Sequence, residues 1–473
     1  MKTKLNSLNS KLIVGVAGLN LTISALAADA LPSDPSAGNS EIDQLKKQIE
    51  ALDQKVRVLE SDRQSDQQNT AAALESQPKI ILGRNGFSMS SSDSNFVAQL
   101  HGVIQLDSRS FFQDGGNNGL DGFLLRRARP IFSGTVFRDF DFNFTPDFGG
   151  STVQIFDAYV NYHYNSALQL EVGKFKAPVG LEALQSDANI PFNERSLVTD
   201  LVPNRDLGLE LHGDLFGGTV SYAAGIFNGS TDYNGTTVTT SFQDDRAFEG
   251  RVFFQPWKNT GIKPLSGLGF GLAGTYLANH PQTNSATGLT PGYNTDGQQK
   301  FFTYSAGVNG AGANWRLSPQ AYYYYGPFNL LGEYVDSDQQ VALGKKSADL
   351  ENTAWEVSGG WVLTGEDASY NGVTPRRPFD PRDGAWGAFQ IVARYASLNV
   401  DSKAFTDGFA SSTKNADGAN AWAIGLNWYL NQNIRADLSF SHTEFNGFTG
   451  TKAPGTVPAQ AENVLFSRVQ LAF

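Results

Sequence analysis

Three arginines stand within four positions, Arg126, Arg127 and Arg129, in a segment from Phe123 to Phe137 that otherwise reads as a β-strand. A guanidinium offers five donors in a planar fork that matches carboxylate and phosphate oxygens. The chemistry available to such a cluster is anion recognition, or ion pairing that stiffens a wall. A soluble strand has little use for this much charge. In the wall of a water-filled barrel alternate residues face water, and arginines there cost little. Catalytic groupings are missing. The chain has no Cys and only five His, at 101, 163, 212, 280 and 442, scattered rather than spaced as metal ligands. HExxH, P-loop and GxSxG patterns do not occur. We therefore expect no enzyme, no cofactor and no metal.

A second source of positive charge follows. Lys174-Phe175-Lys176-Ala177-Pro178-Val179-Gly180-Leu181-Glu182 leads into a stretch without alternation, through Asn193-Glu194-Arg195-Ser196 to Asn204-Arg205-Asp206. Long irregular stretches inside a regular fold are usually functional. Folded into a lumen, this loop would carry Lys174, Lys176, Arg195 and Arg205 towards the arginine strand. Strict alternation also turns Arg109, Arg251, Arg316, Arg394, Arg435 and Arg468 inward, with a similar number of acids, Asp107, Asp157, Glu210 and Glu249 among them. Position rather than count must then set ion preference. Alternation leaves Arg126 facing lipid, at a cost of roughly 2–4 kcal/mol at the membrane midplane. It needs the rim, a bulge or a loop contact.

The elements that would position these residues are strands. From about Val97 the chain keeps a period of two almost to its end, as in Asp139-Phe140-Asp141-Phe142-Asn143-Phe144, or Asp157, Asn161 and His163 against Phe156, Ala158 and Val160. Tight connections (Phe216-Gly217-Gly218, Tyr325-Gly326-Pro327) alternate with long polar ones (229–245, 279–299, 402–420). Aromatics crowd strand ends, as in Tyr322 to Tyr325, and the last strand stops on Phe473. Counting spans of about 9–11 residues gives about sixteen, with Phe301 to Asn309 taken as loop. The fold expected is all-β, a transmembrane antiparallel β-barrel over 79–473.

Ahead of it, residues 1–27 read as a signal peptide: Lys2, Lys4 and Lys11, an apolar core, and Ala25-Leu26-Ala27. Cleavage near Ala27 would move the net charge from −11 to −14 by removing three lysines, a poor balance for nucleic acid. A linker over 28–40 precedes a short coiled-coil helix at 41–60. There Ile42, Leu45, Ile49, Leu52, Val56 and Leu59 alternate in steps of three and four. Residues 61–78 read as a second linker. No later apolar run reaches the ~18 residues of a membrane helix, which leaves strands to do any crossing of an outer membrane.

Several of these segments resemble the phosphate-selective porin family. They are Arg126-Arg127-Ala128-Arg129 with Gly134-Thr135, Asp157-Ala158-Tyr159-Val160, Val172-Gly173-Lys174-Phe175-Lys176-Ala177-Pro178, Asn193-Glu194-Arg195-Ser196, and Ser318-Pro319-Gln320-Ala321 running into the tyrosines. The resemblance implies a homotrimer of sixteen-stranded barrels in outer-membrane lipid, passing small anions such as phosphate by passive diffusion. It places the family's paired arginines on Arg126 and Arg127, and its aspartate on Asp157. The candidate pore-lining set is thus Arg109, Arg126, Arg127, Arg129, Asp157, Lys174, Lys176, Arg195, Arg205 and Arg251. One departure stands out: residues 182–195 carry Glu182, Asp187 and Glu194 and no lysine. That leaves room for a general or cation-preferring pore, or for a structural envelope protein that makes periplasmic contacts through 41–60.

Overall fold

The computed structural model describes residues 35–473, apart from 113–118, 151, 231, 233–244, 281–291 and 448–460. The predicted signal peptide and most of the first linker lie outside the described residues, as do parts of the long connections 229–245 and 279–299.

An antiparallel sheet of eighteen strands contains the hairpin Lys79–Gly83 and Gly86–Ser90; the other sixteen form the barrel. Those are Val97–Phe112, Gly122–Val136, Phe140–Asp147, Gln154–Asn165, Leu168–Lys176, Arg205–Leu215, Val220–Phe227, Ala247–Phe254, Leu268–His280, Asn309–Tyr325, Phe328–Leu343, Lys346–Val362, Ala388–Asn399, Gly418–Tyr429, Ile434–Asn446 and Ala461–Ala472. The last strand pairs with the first, from Asn463 opposite Phe112 to Ala472 opposite Val103, and closes the ring. Phe473 exchanges backbone hydrogen bonds with Gly102 at 2.9 and 3.0 Å. A Cβ on Gly102 would stand 2.9 Å from the Phe473 ring, so the glycine lets the closing aromatic lie flat over the seam.

Alternation accounts for nearly every wall position. In Ala388–Asn399, Gln390 and Arg394 are buried in the interior while Ile391 and Tyr395 lie outside. An apolar exterior with a polar interior is what a strand needs when one face meets lipid and the other water. Closure satisfies every edge, the condition for crossing hydrocarbon with strands. The segment 301–308 stays out of the wall as expected, whereas Asn309 opens the strand Asn309–Tyr325, opposite Ala342. Lys300–Phe302 instead pairs with Tyr293–Asn294 as a two-stranded ribbon. Of the tyrosine run, Tyr323 and Tyr325 stack on one face, while Tyr322 and Tyr324 turn to the other, where Tyr322 stacks on Tyr370.

The lumen is not empty. Leu197, Val198 and Leu201 of the loop after Leu168–Lys176 pack with Tyr293, Phe302, Leu350, Leu398 and Phe409 in one buried apolar cluster. Glu333 on the wall accepts hydrogen bonds from the backbone N–H of Leu181 and Glu182 at 2.7 and 3.2 Å, capping the short helix Leu181–Leu184. The connection 363–387, on the rim with the short turns, meets the same loop: Tyr370 Oη donates to the Leu181 carbonyl at 2.5 Å.

Residues 35–75 form a separate unit. Its helix runs Pro35–Ser76, through most of what reads as linker at 61–78 and the end of that at 28–40. The correction has a simple cause. Residues 61–76 hold Gln, Glu and three consecutive alanines, good helix formers, with no Gly or Pro before Pro78. Pro35 at the start suits a first helical position. Ile42, Leu45, Ile49, Leu52, Val56 and Leu59 are all 48–66% exposed.

Candidate functional site: an arginine cavity inside the barrel

Two irregularities in the wall build the site. Between Val97–Phe112 and Gly122–Val136, Gln105 opposes Arg127 but Leu106 opposes Leu125. Arg126 is the extra residue, and the bulge frees it from the lipid-facing row. Gly149 lies against this kink; a Cβ there would come within 2.8 Å of the Arg126 carbonyl oxygen. Between Phe140–Asp147 and Gln154–Asn165, Thr145 opposes Asp157 but Pro146 opposes Ile155, so Phe156 is extra. Alternation puts Phe156 outside. The second bulge turns it inward and buries it. Bulges re-aim side chains in this way beside functional sites.

Both re-aimed side chains line one cavity of about 290 Å³, with Arg127, Arg129, Arg195 and Arg205. The Arg129 and Arg205 guanidiniums lie 3.9 and 4.5 Å from the Phe156 ring centroid, which thus holds two cations in place. The remaining polar lining includes Asp187, Glu194, Thr199, Asp200, Asn204, Thr295 and Gln298.

The loop supplies the counter-charges. Asp187 is shared by Arg127 at 3.2 Å, Arg195 at 2.5 Å and Arg129 at short range. Glu194 pairs with Arg126 at 2.5 and 2.8 Å and with Arg109 at 2.7 Å. Burial alone would raise both carboxyls; the surrounding arginines outweigh it and hold each well below the usual carboxylate range. Asp200 is the reverse case. Burial pushes its carboxyl well above the usual range, against one backbone hydrogen bond from Asn294. Five arginines and three carboxyls line the cavity, and two further carboxylates behind the lining, Asp147 and Asp157, pair with Arg129 at 2.6 Å and Arg205 at 3.1 Å, so the cavity surface is the more positive side of a compensated cluster.

Of the expected set, Arg126, Arg127, Arg129, Arg195 and Arg205 meet at this cavity. Asp157 stands behind it and accepts from Arg205 at 3.1 Å. Arg109 reaches it only through Glu194. Lys176 lies behind the loop, donating to the carbonyls of Ala183, Leu184 and Gln185 at 2.8, 3.1 and 2.8 Å, where it ties the loop down rather than lining the cavity. Lys174 is buried in the wall, donating to the Ile155 carbonyl. Arg251 sits elsewhere, over Phe253 and bonded to Gln320. Arg251 faces inward as alternation requires, whereas Lys174 and Lys176 share the parity of the outward Val172; all three lie away from the cavity. Of the other lumen arginines, Arg435 pairs along the wall with Asp437 and Arg468 with Asp107 at 2.6 and 2.7 Å, while Arg316 and Arg394 pair with the loop acids Asp232, Glu182 and Asp296.

A different arc carries acids alone. Glu171 opposes Glu210 in register, Glu210 opposes Gly225, and Gly225 opposes Glu249. Both Glu249 carboxylate oxygens and Glu210 Oε2 are buried without a hydrogen-bond partner among the described residues.

Sequence comparison matches residues 99–473 to the family model described as phosphate-selective porin O and P. The chain is 23% identical over 389 residues to Porin O of Pseudomonas aeruginosa, covering 76% of this chain and 86% of that one. Among solved structures, the fold is similar to the outer membrane channel DcaP of Acinetobacter baumannii, with a TM-score of 0.52 at 12% identity over 81% of this chain and 99% of that one. It is also similar to an anion-selective porin from Comamonas acidovorans, with a TM-score of 0.51 at 12% identity over 80% and 100%.

Proposed function

The chain belongs to the phosphate-selective porin O and P family, and from that premise we propose that it is a passive outer-membrane channel whose arginine cavity draws small anions of the phosphate class. The observation that carries this reading is the pair of bulges. They turn Arg126 and the arginine-holding Phe156 into one cavity where guanidiniums outnumber carboxyls. A guanidinium binds phosphate oxygens through short, charge-assisted hydrogen bonds. A channel needs such binding strong enough to admit the ion and weak enough to release it. The names of Porin O's family and of the anion-selective Comamonas porin agree with this reading.

The test is inhibition of chloride current by phosphate in a planar bilayer. Millimolar phosphate should reduce the chloride conductance in a saturable way; an unaffected current would remove phosphate from the reading. The row Glu171, Glu210 and Glu249 favours a second reading, a cation-preferring pore, which the sign of the zero-current potential in a KCl gradient separates from the first.

We further propose a homotrimer, to which the helix contributes. The exposed Ile/Val and Leu stripe at 42–59 supports self-association, since such a stripe left in water would be unstable. Cross-linking with and without residues 41–77 tests this. Contacts with periplasmic partners would use the same helix.

A further inference from the structure

The two loop acids at the cavity are held in different ways. Asp187 serves three guanidiniums, and its backbone carbonyl also accepts from Gln105 at 3.0 Å. Moving it would take an ion-pair partner from three cations at once, leaving Arg129 with Asp147 but Arg127 and Arg195 with neutral acceptors. Glu194 uses both carboxylate oxygens on Arg126, Oε1 from Nε at 2.5 Å and Oε2 from Nη2 at 2.8 Å. This two-bond fork is the geometry in which an arginine takes a phosphate or carboxylate ligand. The anchor of Glu194 is separate from that fork. Its carbonyl oxygen accepts from Arg394 at 3.0 Å, and the next residue but one, Ser196, donates its N–H and Oγ to Glu182 at 2.8 and 2.9 Å. The side chain can therefore leave Arg126 by turning about its own bonds while the backbone stays, giving up at the same time the hydrogen bond that its Oε1 accepts from Arg109 at 2.7 Å. Arg126 is also the most open of the cavity arginines, its side chain 23% exposed against 3% for Arg127, 7% for Arg129, 14% for Arg195 and 4% for Arg205.

We propose that Glu194 is a specificity-determining residue: a tethered carboxylate that fills the Arg126 fork in the resting channel and is displaced by the permeating oxyanion. The inference rests on the cavity being an anion station. It has two consequences. An ion that displaces Glu194 must offer two oxygens on one centre, which phosphate does and chloride does not, so the fork discriminates by shape as well as charge. The tether also competes with the bound ion, lowering its affinity and speeding its release.

The experiment is phosphate block of chloride current in wild type, Glu194→Gln and Glu194→Asp, with trimer and barrel assembly checked by heat-modifiable electrophoretic mobility. Glutamine keeps the shape of the side chain and removes its charge. Loss of the competitor should lower the half-blocking phosphate concentration about tenfold, and the aspartate variant should fall between. A ratio of wild type to Glu194→Gln below threefold would overturn the inference, since a residue that merely shapes the loop would alter conductance and leave phosphate affinity alone. If the glutamine variant does not assemble, aspartate carries the same test: a half-block equal to wild type overturns it. Failure of the underlying reading looks different. A wild-type pore with a cation-selective zero-current potential would remove the anion station itself, whatever Glu194 does.

Discussion

The arginine cavity and the glutamate arc occupy walls of the same lumen, yet they are built by opposite means. At the cavity the strands are irregular: bulges at Arg126 and Phe156 break the period of two, and a folded-in loop supplies Asp187 and Glu194. At the arc the strands are regular, Glu171 faces Glu210 directly, and Glu249 has no hydrogen-bond partner among the described residues. Positive charge is thus concentrated, compensated and oriented, whereas negative charge is spread along a row. Rings or clusters at a constriction govern ion preference, while charges along a wall mainly adjust it. The comparison shows why a similar total of inward acids and bases says little about selectivity.

The sharpest way to break the contrast is to remove a cavity cation. Arg127→Ala should raise the half-blocking phosphate concentration by about tenfold, equivalent to ~1.4 kcal/mol. Assembly should persist, because Asp187 keeps Arg129 and Arg195. A variant that fails to assemble would make Arg127 structural. Phe156→Ala tests the second bulge. Losing the ring between two guanidiniums should weaken block by several-fold, in line with ~0.5–2 kcal/mol for cation–aromatic contacts; unchanged block would leave the bulge without a role in binding.

On the other wall, Glu249→Gln should shift the zero-current potential slightly towards anions and leave phosphate block within twofold. A large change in block would mean that the arc belongs to the binding station. Acid gives a smaller effect still. Glu194 and Asp187 are held below the usual carboxylate range, so the stability they contribute is fully present above an ordinary carboxyl pKa near 4. That stability is lost only as pH falls through their lower folded values. Phosphate-free conductance should therefore show no loop-opening step from pH 7 to pH 4.5. A transition within that window would show that loop closure does not depend on these two acids. Deleting residues 41–77 should leave single-channel conductance unaltered even where trimer yield falls.

The contrast also explains what could be read from residue order. Regular wall was legible because lipid and water enforce a period of two: Arg394, Glu210 and Glu249 face inward as alternation demands. The count of sixteen depended on leaving Phe301 to Asn309 out of the wall; Phe301 and Phe302 go to the ribbon with Tyr293–Asn294, and only Asn309 joins a wall strand. Bulges were harder. Arg126 betrayed its bulge because a guanidinium cannot rest in hydrocarbon, but Phe156 looks comfortable on either face and gave no warning. The lining role of Arg195 and Arg205 followed from the length of the irregular stretch, whereas Lys176 shares that stretch and serves the loop's carbonyls instead. Glu182, Asp187 and Glu194 were visible as departures from the family pattern. Only the folded loop showed that two of them meet the arginines. The connection 363–387 is rich in Gly, Pro and Asp, as a surface loop is, and nothing in its order reports that Tyr370 reaches Leu181.

The central claim is that position outweighs number, so that the arginine cavity sets ion preference in a lumen that also holds many acids. The zero-current potential of the purified wild-type channel in a planar bilayer under a KCl gradient tests this most directly. A lumen governed by the arginine cavity gives an anion-selective sign that diminishes in Arg127→Ala; a cation-selective sign in the wild type would mean that the acids prevail.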